Sequence, residues 1–280
     1  MGAIVFAAKI THVPSIWLSL QPGRFHGIRQ NAVDGLTELG KRAHARGADT
    51  FLVVDVHWQN SMGFHLNGKT RHDGRYASHE LPHFIHALEY DYRGAPELAK
   101  AIGAEITAAG LRAHVHDLPD LGLEYGTLVP MHLMNPDRDL AVLPMGSNVY
   151  SSIEENRKVG EAIRRAIDAS GQRVALLASG SLSHQFPPNA IAETKLNEIS
   201  CEFNRQVDLR VLELWRDGRI KEFLAMLPDY AERCTGESGM ADTGVLFGAL
   251  GWDAYQGKGE QIGQYFASSG TGQVNVEFSL

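Results

Sequence analysis

Short runs of consecutive apolar residues alternate along this chain with longer stretches in which apolar residues recur every three or four positions. The runs are residues 4–10, 50–56, 140–145 and 174–179. They are rich in β-branched residues and almost free of charge, the pattern of strands buried on both faces. Between them, amphipathic stretches at 27–46, 95–109, 153–169 and roughly 192–215 predict helices. Repeated strand-then-helix units place a mostly parallel central sheet between flanking helices. Residues 110–116 offer one further strand, the C-terminal third is helix-rich (221–227 and 242–250), and 273–280 alternates like a late edge strand. No repeat, low-complexity tract or linker interrupts the chain, so the expectation is a single α/β domain over 1–280. Residues 60–94, rich in Gly, His and aromatics, are the least regular part, and such excursions often wall an active site.

Composition narrows the function classes. At 44% hydrophobic the chain can bury a sizeable core. A formal net charge of −7 without a basic stripe argues against a nucleic-acid partner. No apolar run reaches the ~18–20 residues needed to cross a bilayer. The opening nine residues lack the basic start and cleavage site of a signal peptide, and the Met1-Gly2 start does not complete a myristoylation pattern. Cys201 and Cys234 are too few for a disulfide framework. A soluble cytoplasmic protein is expected.

Candidate chemistry lies at the strand ends, where open α/β sheets gather ligands. His12 follows the first strand in Ile10-Thr11-His12-Val13-Pro14-Ser15, and His57 ends the second in Asp55-Val56-His57-Trp58. His184 lies just past the fourth, in Ala178-Ser179-Gly180-Ser181-Leu182-Ser183-His184. With 13 histidines in the chain, any one alone is more readily a surface or hydrogen-bonded residue; three at equivalent strand ends are a constellation. With Glu237, which follows a helical stretch, His12 and His57 make a candidate two-histidine, one-carboxylate set of the kind that suits non-heme Fe(II) and leaves coordination positions open. His184 is placed to act as a base beside it. His79-Glu80-Leu81-Pro82-His83 matches a zinc-peptidase pattern, but Pro82 disfavours helical geometry at Leu81, so its two histidines do not share a helical face. Ser179–Ser183 lacks the spacing of a nucleophile elbow, and Gly270-Thr271-Gly272 lacks the lysine of a phosphate loop.

These motifs, together with Leu123-Glu124-Tyr125-Gly126-Thr127-Leu128-Val129-Pro130, resemble the class III extradiol ring-cleaving dioxygenases, the protocatechuate 4,5-dioxygenase catalytic-subunit superfamily. The similarity runs from the first strand through Ser268–Asn275, essentially the whole chain. Residues 80–85 and 123–131 point to the homoprotocatechuate (3,4-dihydroxyphenylacetate) branch. The resemblance implies Fe(II) as cofactor, a catechol and dioxygen as substrates, and opening of the ring beside the two hydroxyls to a yellow semialdehyde. A homo-oligomer is the assembly it implies.

Residue by residue, His12 and His57 match the histidine ligands of that superfamily, and Glu237 matches its carboxylate; Asp242, five residues on, stays an alternative whose other role is to cap the following helix. Many members carry a His where this chain has Tyr125, whose phenol can donate a hydrogen bond to a substrate oxygen instead. The resemblance makes His184 the base that takes a catechol proton. Asp55 and Trp58 flank a ligand and are candidates for its support, with core packing as the other reading. Arg24, His26 and Arg29 are candidates to meet an acidic arm on the substrate, against a plain solvated helix start. An aminophenol or another substituted catechol is the alternative substrate class, a zinc hydrolase the alternative chemistry, and a non-catalytic partner subunit is disfavoured by the retained set.

Overall fold

A computed structural model describes all residues, 1–280. Strands β1 (Ala3–Ile10), β2 (Thr50–Asn60), β3 (Phe64–Asn67), β4 (Arg71–Tyr76), β5 (Leu88–Arg93), β6 (Ala113–His116), β7 (Ala141–Asn148) and β8 (Arg173–Ser179) precede four short ones. These are β9 (Gly259–Gln261), β10 (Phe266–Ser268), β11 (Thr271–Gln273) and β12 (Val276–Phe278). The helices are α1 (Pro14–Leu20), α2 (Gln30–Ala45), α3 (Pro96–Ala108), α4 (Tyr125–Met134), α5 (Ile153–Ser170), α6 (Glu202–Arg216), α7 (Ile220–Arg233) and α8 (Ala241–Leu250).

Eight strands form one mixed sheet in the order β6-β3-β7-β2-β8-β1-β12-β9. Its four central strands, β7, β2, β8 and β1, are mutually parallel, whereas β12 and β9 join antiparallel on one side and β3 runs antiparallel to β7 on the other. The apolar runs read as unbroken because both faces are covered. Leu52, Val54, Leu143, Leu176 and Ala178 face α3 and α5–α8, while Phe51, Val53, Val142, Ala175 and Leu177 face α2 and α4. Helix ends follow local chemistry: α5 opens on a reciprocal Ser152–Glu155 capping box and stops at Gly171, whose φ of 81° closes it in the left-handed region. No helix is long and apolar enough to cross a membrane.

Four expectations change. The helix read over 192–215 is interrupted: Asn189–Lys195 is a 3-10 helix and α6 begins at Glu202, because Leu196–Ser200 pairs with the 269–270 turn through backbone bonds at 2.8–3.1 Å. Tertiary pairing overrides a helical pattern there. The late edge strand splits: Thr271–Gln273 joins a two-stranded ribbon, and Val276–Phe278 lies inside the sheet between β1 and β9. Residues 60–94 hold three strands, β4 and β5 forming a hairpin, and the longest irregular stretch is 77–87. Finally, β2 does not end at His57 but runs on to Asn60 through an irregularity between Asp55 and Gln59.

Candidate metal centre

The parallel strands bring the carboxyl ends of β1, β2 and β8 to one edge, and His12, His57 and His184 converge there as their positions in the sequence predict. His12 is buried one residue beyond Thr11, which is held by Asn275 Oδ1 on the Thr11 N–H (3.1 Å) and by Gln273 Oε1 on the Thr11 hydroxyl (2.6 Å). The Ser179 hydroxyl donates to the Gly126 carbonyl (2.5 Å), so Ser179 Oγ accepts the proton of His12 Nδ1 at 3.0 Å. That fixes the tautomer and leaves His12 Nε2 with a free lone pair, the state a metal ligand needs.

His57 occupies the irregular stretch of β2. Asp55, fully buried, accepts from the His57 N–H (2.8 Å) and from the Thr127 hydroxyl (2.7 Å), at the point where the register of β2 with β7 slips. Bulges of this kind re-aim a side chain beside a site. Gly126 makes room for it: a Cβ there would collide with the Asp55 carboxylate. Asp55 thus supports His57, as one of its two readings held; Trp58 contributes only its N–H, 3.4 Å from Asp55 Oδ1.

Glu237 stands in the short turn between α7 and α8, where Ser238, Gly239 and Met240 all adopt positive φ (49°, 63° and 61°). For Ser and Met this is strained backbone, and strain of this kind clusters at functional sites. The turn is pinned by the Glu237 N–H on the Leu182 carbonyl (3.2 Å) and by Ser147 Oγ against Ser238 Oγ (3.0 Å). Glu237 Oε2 takes the Ser181 N–H, which aims Oε1 at the histidines: 3.7 Å from His12 Nε2, 3.4 Å from His57 Nε2 and 3.3 Å from His184 Nε2. The ligating atoms of His12, His57 and Glu237 all lie within 4.8 Å of one another. Burial alone would push the Glu237 carboxyl up, but the facing imidazoles of His184 and His12 hold it well below the usual carboxylate range. Burial opposes protonation of His57, yet the facing Glu237 outweighs it and raises that group.

Tyr125, at the start of α4, places its hydroxyl 2.6 Å from His57 Nε2 and donates to Glu80 Oε2 at 2.9 Å. Burial, then the charges of Glu80 and Glu237, pushes its phenol well up, so it stays protonated and remains a donor. Ser183, the residue before His184, is held by Asp208, a buried carboxylate accepting from the Ser183 N–H (3.2 Å), the Ser183 hydroxyl (2.7 Å) and the hydroxyls of Tyr230 and Tyr265 (2.6 Å each). Leu81, Phe84 and Phe186 give the cleft its apolar walls.

The remaining candidates fall elsewhere. Asp242 is not at the centre: it forms a fully buried ion pair with Lys9 at 2.5 Å. Residues 82–84 make a turn rather than a helix, and His79 and His83 are exposed and outside the cleft, although Glu80 of that motif does line it. Arg24 and His26 are exposed, and only Arg29 turns inward. Sequence reasoning passed over Glu80, Ser179 and Asp208; Ser179 sat inside a recognised motif, whereas Asp208 lies mid-helix with no local signal.

Two imidazoles and one carboxylate oxygen, grouped within 4.8 Å of one another at the cleft, fit the donor preference of non-heme Fe(II). The pattern of the catalytic LigB subunit of aromatic ring-opening dioxygenase matches residues 6–279. The chain belongs to the LigB family. It is an Fe(II)-dependent extradiol ring-cleaving dioxygenase of class III. This LigB enzyme is 48% identical over 259 residues to the 3,4-dihydroxyphenylacetate 2,3-dioxygenase of Escherichia coli, covering 92% of this chain and 94% of that one. It is 31% identical over 250 residues to the 2-aminophenol 1,6-dioxygenase beta subunit of a Pseudomonas species, covering 83% and 78%. The crystal structure of an uncharacterized protein from Escherichia coli K12 shares the fold, with a TM-score of 0.63 at 17% identity over 98% of this chain and 100% of that one.

Proposed function

We propose that this LigB enzyme opens the ring of 3,4-dihydroxyphenylacetate beside its diol, with His12, His57 and Glu237 as iron ligands, His184 as base and Tyr125 as hydrogen-bond donor. The observation that carries the substrate is the 48% identity to the Escherichia coli enzyme of that name across nearly the full length of both chains. Bound between the three ligands, Fe(II) supplies the means of coupling a chelated catechol to dioxygen.

The protein does the rest by position and proton handling. His184 Nε2, 3.3 Å from Glu237 Oε1 and partly open to the cleft, takes the proton that a catechol hydroxyl gives up on binding. The Asp208 cluster fixes the backbone on which His184 rides, so the imidazole stays aimed at the substrate. Tyr125 holds its proton at Oη and directs it where negative charge gathers on the substrate oxygen. Leu81, Phe84 and Phe186 flank the ring and keep water from it.

Oxygen uptake by anaerobically Fe(II)-loaded protein tests this reading. One dioxygen consumed per 3,4-dihydroxyphenylacetate, with a yellow product, is the expected result. No uptake by iron-bearing protein would transfer the assignment to aminophenols or other catechols. The His184→Phe variant is expected to keep its iron while kcat falls on the order of 100- to 10,000-fold. Full turnover in that variant would remove the base assignment.

A further inference from the structure

Only two Lys or Arg side chains of this protein are buried, and they are treated oppositely. Lys9 sits on the Asp242 carboxylate. Arg29, just before α2, meets only neutral acceptors: Nε donates to Ser15 Oγ at 2.9 Å, and Nη2 donates to the Leu196 carbonyl at 2.8 Å and to Ser268 Oγ at 3.3 Å. Its guanidinium also lies over the Phe266 ring, 5.1 Å from the centroid. Burial draws its pKa down to about 10, which leaves it charged at neutral pH. An unpaired charge in a dry interior is costly and calls for an anion to complete it.

The side of Arg29 that lacks an anion faces the active cleft through two hydroxyls. Ser15 and Ser268 both line that cleft, in company with His12, His57, Tyr125, His184 and Glu237. Their Oγ atoms are 3.1 Å apart, so one hydroxyl donates to the other. Both accept from the guanidinium, and the second hydroxyl proton has no acceptor within the protein. A cation thus polarises a pair of hydroxyls, one of them with a proton left to give at the cleft wall. Donors backed by charge bind carboxylates more strongly than neutral ones.

We propose that Ser15 and Ser268, backed by Arg29, form the subsite that receives the acidic arm of the catechol, making Arg29 the residue that selects an anionic over a neutral substrate. This rests on the reading of the substrate as a carboxylated catechol. Arg29 acts through the serines and positions the substrate rather than touching the reacting ring.

The test compares kcat/KM, at equal iron content, for 3,4-dihydroxyphenylacetate and its neutral amide in the wild type, Arg29→Gln and Arg29→Lys. The acid-over-amide preference is expected to fall on the order of 10- to 100-fold in Arg29→Gln, chiefly through KM for the acid, and to be largely restored in Arg29→Lys. Ser268→Ala keeps the guanidinium and is expected to lose part of the preference in the same direction, which carries the test should Arg29→Gln not fold. An equal loss on both substrates, or an unchanged preference, overturns the subsite while the substrate reading stands. A wild-type enzyme that does not turn over the acid at all overturns the substrate reading, and the subsite with it.

Discussion

Glu237→Ala protein, loaded anaerobically with Fe(II) and desalted, is expected to emerge folded and without iron, and to show no oxygen uptake with any catechol. The expectation follows from how the carboxylate is held. Its Oε2 is committed to the Ser181 N–H, and its Oε1 is the point on which His12, His57 and His184 converge at 3.3–3.7 Å. Removing it takes away the only carboxylate among the three grouped ligands, leaving two imidazoles whose combined hold on Fe(II) is weak. Losing an outer partner of a metal ligand costs roughly 10- to 100-fold in affinity, and losing the ligand itself costs more. His57→Ala should behave likewise. Iron per chain, read beside a circular dichroism melt, checks both. Stoichiometric iron in Glu237→Ala would move the carboxylate role elsewhere.

Much of this centre was legible because the sheet is buried on both faces. The apolar runs at β1, β2, β7 and β8 admit no other element, and their parallel order brings whatever follows each strand to one edge. That is why the sequence alone groups His12, His57 and His184. The finer geometry was not legible, because side chains distant in sequence decide it. The Asp55 carboxylate turns β2 so that His57 faces the centre, and Thr127, 72 residues away, steadies it. Arg24, His26 and Arg29 looked alike in the sequence. Only the packing of Ser15, Leu196 and Ser268 around one of them singles out Arg29. Likewise β9, three residues long, gave no signal that β12 would be covered on both sides.

The choice between Glu237 and Asp242, open in the sequence, turns on an ion pair, and that pair has the largest expected effect on stability. Lys9 Nζ and Asp242 Oδ2 are 2.5 Å apart with both side chains at 0% exposure. Gly180 leaves them their space, since a Cβ there would stand 2.6 Å from Asp242 Oδ2 and 3.0 Å from Lys9 Nζ. Asp242→Ala strands a buried ammonium, and breaking such a pair costs about 3–5 kcal/mol. At the roughly 2–4 °C per kcal/mol usual for domains near this size, Tm is expected to drop on the order of 10 °C. Replacing both partners with apolar residues, Lys9→Met with Asp242→Leu, should recover most of that loss, because no charge is then left buried without a partner. Iron separates this from ligation. Lys9 lies three residues before His12 and Asp242 five after Glu237, so the pair ties together the two segments that carry those ligands. The double variant restores that tie without any carboxylate at position 242 and is expected to bind iron as the wild type does. A double variant that recovers its Tm yet holds no iron would make Asp242, and not Glu237, the third ligand.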